Sequence, residues 1–473
     1  MSPRMMEWAG ARALTAALGL ALLAAIAGPV AAQPVAVPET YGGDFWTRPK
    51  LTGSWGGLRD ELGKRGVVVD VDFYQTLQGV IDGGRSTGVG YDGHADYTLN
   101  VDTGKLGLWP GGFLRLHAET NYGTDINFDS GAIQAPNGLA LFPMPNQSQM
   151  TITNLTFAQF LAPWVGVMVG KIEGYGGDDN AFAHGLKNNF LNLGLAFNLT
   201  LEMVPISSLG GIIILVPWDG AVFTAGVLDP NGKPDETGFD HLFADGVYVT
   251  SEGRVTIKPF GLVGHQLVGF AWSNKERISL IQDTDNILRT ILFSKFPRLQ
   301  DPGPILRKII EKLFPGLLQP LEPFNKVHNT WSVYYNFDQY LWSPKGDPTR
   351  GIGPFFRFGI TDGVANPVKY HYNVGIGGKG VVPGRPRDTF GIGWSRMELS
   401  SHLVPFLREH LHLGLSREDA VEAFYNFALT GSINATLDLQ VIDPAFKKIQ
   451  LSGGRFQNMD TAVVGGFRLG VQF

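Results

Sequence analysis

Over residues 66–75 the chain sets Val67, Val69, Val71 and Phe73 on one side of an extended backbone and Asp70 and Asp72 on the other, since successive side chains of a strand point to opposite faces. Carboxylates backed directly against aliphatics make a poor soluble core. They suit a wall with hydrocarbon on one side and water on the other. The scheme recurs: Tyr97, Leu99 and Val101 oppose Thr98, Asn100 and Asp102, and Leu114, Leu116 and Ala118 oppose Arg115, His117, Glu119 and Asn121. Residues 461–473 repeat it, with Val463, Phe467, Leu469, Val471 and Phe473 against Gly466, Arg468, Gly470 and Gln472. A half-buried strand of a soluble sandwich alternates in the same way, so the connections must decide.

Sixteen segments carry strand patterning, near 66–77, 95–106, 111–121, 150–161, 165–173, 209–217, 219–229, 245–260, 264–273, 331–342, 353–362, 371–379, 388–399, 421–429, 432–441 and 461–473. Tight connections follow the second, fourth, sixth, eighth and fourteenth of them, at 107–110, 162–164, 218, 261–263 and 430–431. Mostly long ones follow the odd segments, at 78–94, 122–149, 174–208, 230–244, 273–330, 400–420 and 442–460. Short turns at one rim, long loops at the other and an even strand count are how outer-membrane barrels are built. The expected fold is all-β, a 16-stranded antiparallel transmembrane β-barrel with short helices at the N-terminus and in the long loops. The tight turns then face the periplasm and the long loops the outside of the cell. Leu58 and Leu62, four residues apart, predict a short amphipathic helix stopped by Gly66. In 273–330, Asp283 or Asp285 can cap a helix carrying Ile287, Leu288, Ile291 and Leu292, and Ile305, Ile309, Ile310 and Leu313 predict another. These helices either enter the pore or cover the rim.

Arg4 and Arg12, the apolar run 13–27 and the ending Val30-Ala31-Ala32 have the layout of a secretory signal peptide, residues 1–32. Residues 33–65 then form a periplasmic leader with the short helix, and 66–473 the barrel. Beyond residue 32 the longest apolar run, 211–218, is too short for a spanning helix, which needs about 20 residues. Charged residues make up 17% of the chain, against about 25% in an average soluble domain. A net charge of -5 argues against nucleic acid, and the absence of cysteine removes disulfides and thiolate metal sites. No cofactor and no metal is expected.

The segments LTGSWGG (51–57), FAWSNKER (270–277), YYNFDQYLW (334–342), FRFGITDG (356–363), GIGGKGVVPGRPRDTF (375–390) and EAFYNFALTGSINATLDLQVIDP (422–444) together resemble the carbohydrate-selective porins of the OprB family. The likeness runs in family order over nearly all of the chain after residue 32. It implies a monomeric sixteen-stranded barrel in the Gram-negative outer membrane that passes glucose and other sugars and is not an enzyme. Gly431 to Asn434 and Leu437 stand where members commonly carry Trp and Pro, which bears on the shape of that turn. Cyanobacterial relatives carry a cell-wall-binding repeat ahead of the barrel. None precedes Leu51, which favours the sugar branch. Outer-membrane lipid is expected around the wall, and Phe473 is expected to be read by the barrel-assembly machinery.

Selective passage of a neutral sugar needs a narrow polar waist that binds weakly, at roughly millimolar affinity or about 4 kcal/mol. Arginines and carboxylates offer paired donors and acceptors to hydroxyls. By alternation the inward candidates are Asp70, Asp72, Asp102, Arg115, Glu119, Lys171, Glu173, Arg357, Arg396, Asp438 and Arg468. Arg115, Glu119 and Arg357 rank first as nearest mid-barrel, although any lumen is polar throughout and a generic wetted wall residue would look the same. Trp55, Trp109, Trp164, Trp218 and Trp342 sit beside turns or strand ends, as an interfacial belt would.

Three motif matches carry no chemistry. Residues 375–380 match G-x-G-x-x-G, but Pro383 and Pro386 stand where a helix should begin. Residues 84–88 match G-x-S-x-G without the strand and helix of a nucleophile elbow. His402, His410 and His412 with Glu409 read as a loop helix rather than a ligand set. A barrel lipase would need a Ser and His poised at the rim, and no such pair stands out. A soluble binding protein would not depend on detergent. The alternative within the channel class is a general small-solute or ion porin without sugar selectivity.

Overall fold

The computed structural model describes residues 37–145, 147–201, 203–300, 304–313, 317–402, 414, 416–450 and 456–473. The signal peptide expected over 1–32 lies outside them, as do His410, His412 and Glu409. The strands are β1 (Val67–Gly84), β2 (Gly88–Asp102), β3 (Gly112–Thr124), β4 (Thr151–Ala162), β5 (Val165–Glu173), β6 (Ser207–Leu215), β7 (Ala221–Leu228) and β8 (Tyr248–Ile257). They continue as β9 (Gly264–Ser273), β10 (Thr330–Gln339), β11 (Gly351–Thr361), β12 (Val368–Lys379), β13 (Thr389–Leu399), β14 (Arg417–Ala428), β15 (Ile433–Asp443) and β16 (Asp460–Gln472). Each pairs antiparallel with its sequence neighbours, and β16 closes on β1 through Phe73↔Val471 and Leu77↔Phe467. The result is the expected closed barrel of sixteen strands.

The wall is inverted relative to a soluble protein. Leu77, Val268, Val374, Ile392, Leu437 and Phe467 are exposed on its outer face, while Thr76, Asn373, Ser395, Glu422 and Gln440 are buried inside. Trp109, Trp164, Trp218 and Trp342 fall in or beside the turns of one rim. Near the other rim Trp272 pairs across strands with Trp331, and Trp394 shares the outer face with Tyr370 and Tyr372. Amphipathic rings at both water boundaries are the girdles of a membrane barrel.

The segment 78–94, expected as a long loop, is strand. β1 and β2 pair without interruption from Val67↔Val101 to Val80↔Gly88 and turn at 85–87, where Gly83 and Gly84 take φ of +65° and +66°. The glycines that suggested a loop serve only this turn and the close pairing below it. The G-x-S-x-G match falls here, and Ser86 Oγ donates to Asp129 Oδ1 at 2.7 Å.

In the 274–329 connection, α1 (Thr284–Lys295) is capped by Asp283, whose carboxylate accepts from Asn286 N at 2.7 Å, and α2 (Pro304–Leu313) follows. The start of this loop is tied to the neighbouring connection, where Leu280 N donates to Val364 O.

The N-terminal helix (Leu58–Lys64) buries Arg59 and Gly63 rather than the expected pair, since Leu58 is exposed. Arg59 lies between the rings of Tyr41 and Trp55. Its Nη2 reaches Asp70 Oδ1 and Val69 O at 2.8 Å and Phe473 O at 2.9 Å. One guanidinium thus joins the helix, the first strand and the end of the last. Arg59→Ala should destabilise the closed barrel by roughly 1.5–3 kcal/mol, the scale of a hydrogen bond to a charged group. The check is the urea concentration at which the heat-modifiable folded band is lost on a gel.

Candidate functional site

Two loops of the long-loop rim fold into the barrel, 125–150 after β3 and 174–206 after β5. A loop buried in a lumen must pair its backbone polar groups, and the wall supplies the partners. Arg357 on β11 is fully buried; its Nε donates to Asp178 Oδ2 at 2.8 Å and its Nη1 to Leu195 O at 3.0 Å. Arg468 on β16 donates to Leu186 O and Asn189 O at 2.6 and 2.8 Å. Carboxylates do the converse: Glu422 on β14 accepts from Leu191 N and Asn192 N at 2.6 and 2.8 Å, and Glu418 from Ile133 N and Gln134 N at 3.0 and 2.6 Å.

Apolar contacts seal the same side. Phe182, Phe190 and Leu195 of the second loop pack with Tyr340, Phe355 and Phe424. Glycines on the wall make room for them. A Cβ on Gly377 would lie 2.5 Å from Phe182, and one on Gly391 2.7 Å from Phe190. The G-x-G-x-x-G match is therefore the end of β12 and its turn, with Gly377 leaving room for the loop.

The opposite side stays open. Three neighbouring voids of about 290, 330 and 260 Å³ follow one another from the loop side toward the turn rim. Arg115 on β3 lines all three, and Glu173, Tyr175, Gly176 and Phe197 stand between the upper two. Arg115 is exposed and forms no hydrogen bond or ion pair with another described residue. Across from it Phe142, Tyr175 and Phe197 form an aromatic group with ring centroids 4.8–6.3 Å apart. The middle void also has an apolar flank, Met168, Ile212, Ile214 and Leu228.

Above Arg115, imidazoles alternate with carboxylates. His94 Nε2 lies 3.5 Å from Glu119 Oε1 and 3.3 Å from Asp96 Oδ1. His117 bridges Asp96 Oδ1 at 2.8 Å and Glu173 Oε2 at 3.2 Å. Lys187, carried in by the second loop, meets Asp96 Oδ2 at 2.6 Å. Burial opposes the charge of Lys187, but Asp96 outweighs it and raises the ammonium above its ordinary range.

A barrel of this strand number whose passage is narrowed by inward loops is a porin in form. The family model for carbohydrate-selective porins of the OprB family matches residues 86–473. The chain belongs to that family. It is thus a carbohydrate-selective porin of the outer membrane. Its fold is similar to the high-pH structure of OprB from Pseudomonas putida, at 19% identity and a TM-score of 0.72, covering 91% of this chain and 100% of that one. The low-pH structure of the same protein aligns with a TM-score of 0.51 at 17% identity, over 90% of this chain and 99% of that one. A search of curated protein sequences gives no match.

The porin separates the sequence candidates. Arg115, Glu119 and Glu173 come together around one void. Asp70 lies at the turn rim, paired with Lys50 at 2.9 Å and Arg59 at 2.8 Å, with Asp72 bound to Lys50 beside it. Asp102 ends β2 and accepts from Lys105 N at 3.1 Å in the following turn. Arg357 and Arg468 are inward but lie beneath the second loop, and Asp438 is buried on the same wall.

Two candidates expected in the lumen face outward. Lys171 pairs with Leu155 on the exposed row of β4 and β5, and its Nζ donates to Pro234 O and Glu236 O at 2.8 and 2.7 Å. Arg396 alternates with buried Ser395 and Met397; it forms a two-point bridge to Asp419 at 2.8 and 3.0 Å and lies over Trp394. The physical reason is shared: at the loop-rim end of a strand the outer face meets water and headgroups, where charge is tolerated.

Sequence reasoning left out His94, Asp96, Lys187 and Tyr175, and set His117 on the wet row without assigning it a role. Period-two alternation continued past residue 94 would have found His94 and Asp96.

The buried Arg357–Asp178 pair yields a prediction that separates scaffold from waist. Arg357→Met strands Asp178 and should weaken docking of the second loop by about 3–5 kcal/mol, as for one partner removed from a buried pair. Planar-bilayer recordings should show a larger and noisier single-channel conductance.

Proposed function

We propose that sugars cross this porin in single file past Arg115 and Glu173, with the Phe142, Tyr175 and Phe197 rings on the opposite side. The observation that carries the reading is the free guanidinium. Where Arg357, Arg468 and Arg396 are engaged by the protein, Arg115 keeps its donors for a solute. A pyranose has a belt of hydroxyls and apolar C–H faces. The former suit Arg115 and Glu173 as donor and acceptor, and the latter the aromatic group. Hydroxyls then exchange water for side chains at little net gain, which leaves binding weak enough for release.

Arg115→Ala should raise the half-blocking sugar concentration for ion current by about tenfold or more, the equivalent of a charged hydrogen bond of about 1.5–3 kcal/mol. Unchanged block would remove Arg115 from the site. In liposome swelling, monosaccharides should enter faster than amino acids of equal size. Equal rates would indicate a waist that sieves by size alone.

A further inference from the structure

Beside the waist, His94 is held in a way that the sugar route does not require. Asn121 Nδ2 donates to Ala140 O at 3.0 Å, which turns the amide oxygen toward His94 Nδ1 at 2.7 Å. The Nδ1 nitrogen must therefore carry the proton, and Nε2 is directed at two acceptors, Asp96 Oδ1 at 3.3 Å and Glu119 Oε1 at 3.5 Å. A neutral imidazole would oppose its lone pair to both. An imidazolium would close on one of them at about 2.7–2.9 Å, the length of a charge-assisted bond and the length His117 Nε2 does make with Asp96, 2.8 Å. The near-equal, longer separations instead match the spacing of ligands around a tetrahedral divalent ion, about 3.3 Å apart for bonds of about 2.0–2.1 Å.

We infer that His94 Nε2, Asp96 Oδ1 and Glu119 Oε1 form a binding site for a divalent transition-metal ion of the Zn²⁺ type. The three ligand atoms lie within 4.8 Å of one another, and all three residues are buried. A histidine that donates its second nitrogen to a fixed oxygen is the usual support of a metal ligand, and Asn121 supplies it. Charge points the same way. Asp96 and Glu119 converge on His94 Nε2 while Glu173 is turned to His117 and Arg115, so a cation between Asp96 and Glu119 relieves their repulsion. His94 and Glu119 line the upper void, which gives an ion a way in and leaves the fourth position to water.

The test uses the full-length porin in detergent, stripped with chelator and titrated with Zn²⁺ against a chromogenic indicator, with metal counted after gel filtration. The expected result is one Zn²⁺ per barrel. X-ray absorption should then show N/O ligands at about 2.0–2.1 Å with imidazole scattering. His94→Gln should weaken binding by more than about 100-fold, and Asn121→Ala, which keeps all three ligands, by about 10–100-fold. Heat-modifiable migration confirms that each variant is a closed barrel. Less than about half an equivalent bound at saturating Zn²⁺ would overturn the assignment. So would folded Asn121→Ala and His94→Gln that both bind within about twofold of the unaltered porin. Neither readout depends on how sugars pass.

Discussion

A peptide group inside a barrel must be hydrogen-bonded, and much of the architecture follows from that requirement. Two loops enter the lumen, and their amides and carbonyls have little bulk water to meet. The wall answers with side chains of matching polarity: guanidinium groups of Arg357 and Arg468 for carbonyls, carboxylates of Glu418 and Glu422 for amides. These residues lie on β11, β14 and β16, so the loops are drawn to that arc and the passage is displaced toward β2–β8. The position of the waist is thus a consequence of where the wall satisfies the loops.

This division gives two meanings to a lumenal charge. Arg357 and Arg115 are alike in sequence, each on an alternating strand and each facing in. One is engaged by loop carbonyls and the Asp178 carboxylate, and the other is open to solution. A fully buried arginine cannot reach a passing hydroxyl, whereas an unpaired one beside a carboxylate can exchange partners quickly. Only the charges the scaffold leaves unengaged are open to a solute in the lumen.

The barrel itself was legible because a period of two and the sorting of connection lengths are properties of the chain alone. The strands near 66–77 and 95–106 were read too short because glycine marks loops and strands alike; only the pairing of Val80 with Gly88 distinguishes them. Lys171 and Arg396 were assigned inward because charge was taken as a sign of lumen, yet their own rows, Val167 and Val169 for one and Ile392 and Trp394 for the other, already pointed outward. The waist was only partly legible. Arg115 and Glu119 follow from alternation; Glu173 shares the row of Lys171 and turns into the lumen where β5 ends, and Lys187 and Tyr175 reach it on a loop, where placement depends on tertiary partners. One trace of that placement is visible in the sequence: Phe182, Phe190, Leu195 and Phe197 make 174–206 too apolar for a loop surrounded by water.

The contact between Arg59 and the main-chain oxygen of Phe473 spans 414 positions of sequence. Contacts of such separation form late, since the entropy of closing so large a loop is met before any bonding repays it. Until the final strand arrives, the edge of β1 is an open template for pairing, a hazard common to sheets. The clasp can be fastened only once β16 is in place, so a chain without β16 would lack both the closing rung of the sheet and the lock that holds it.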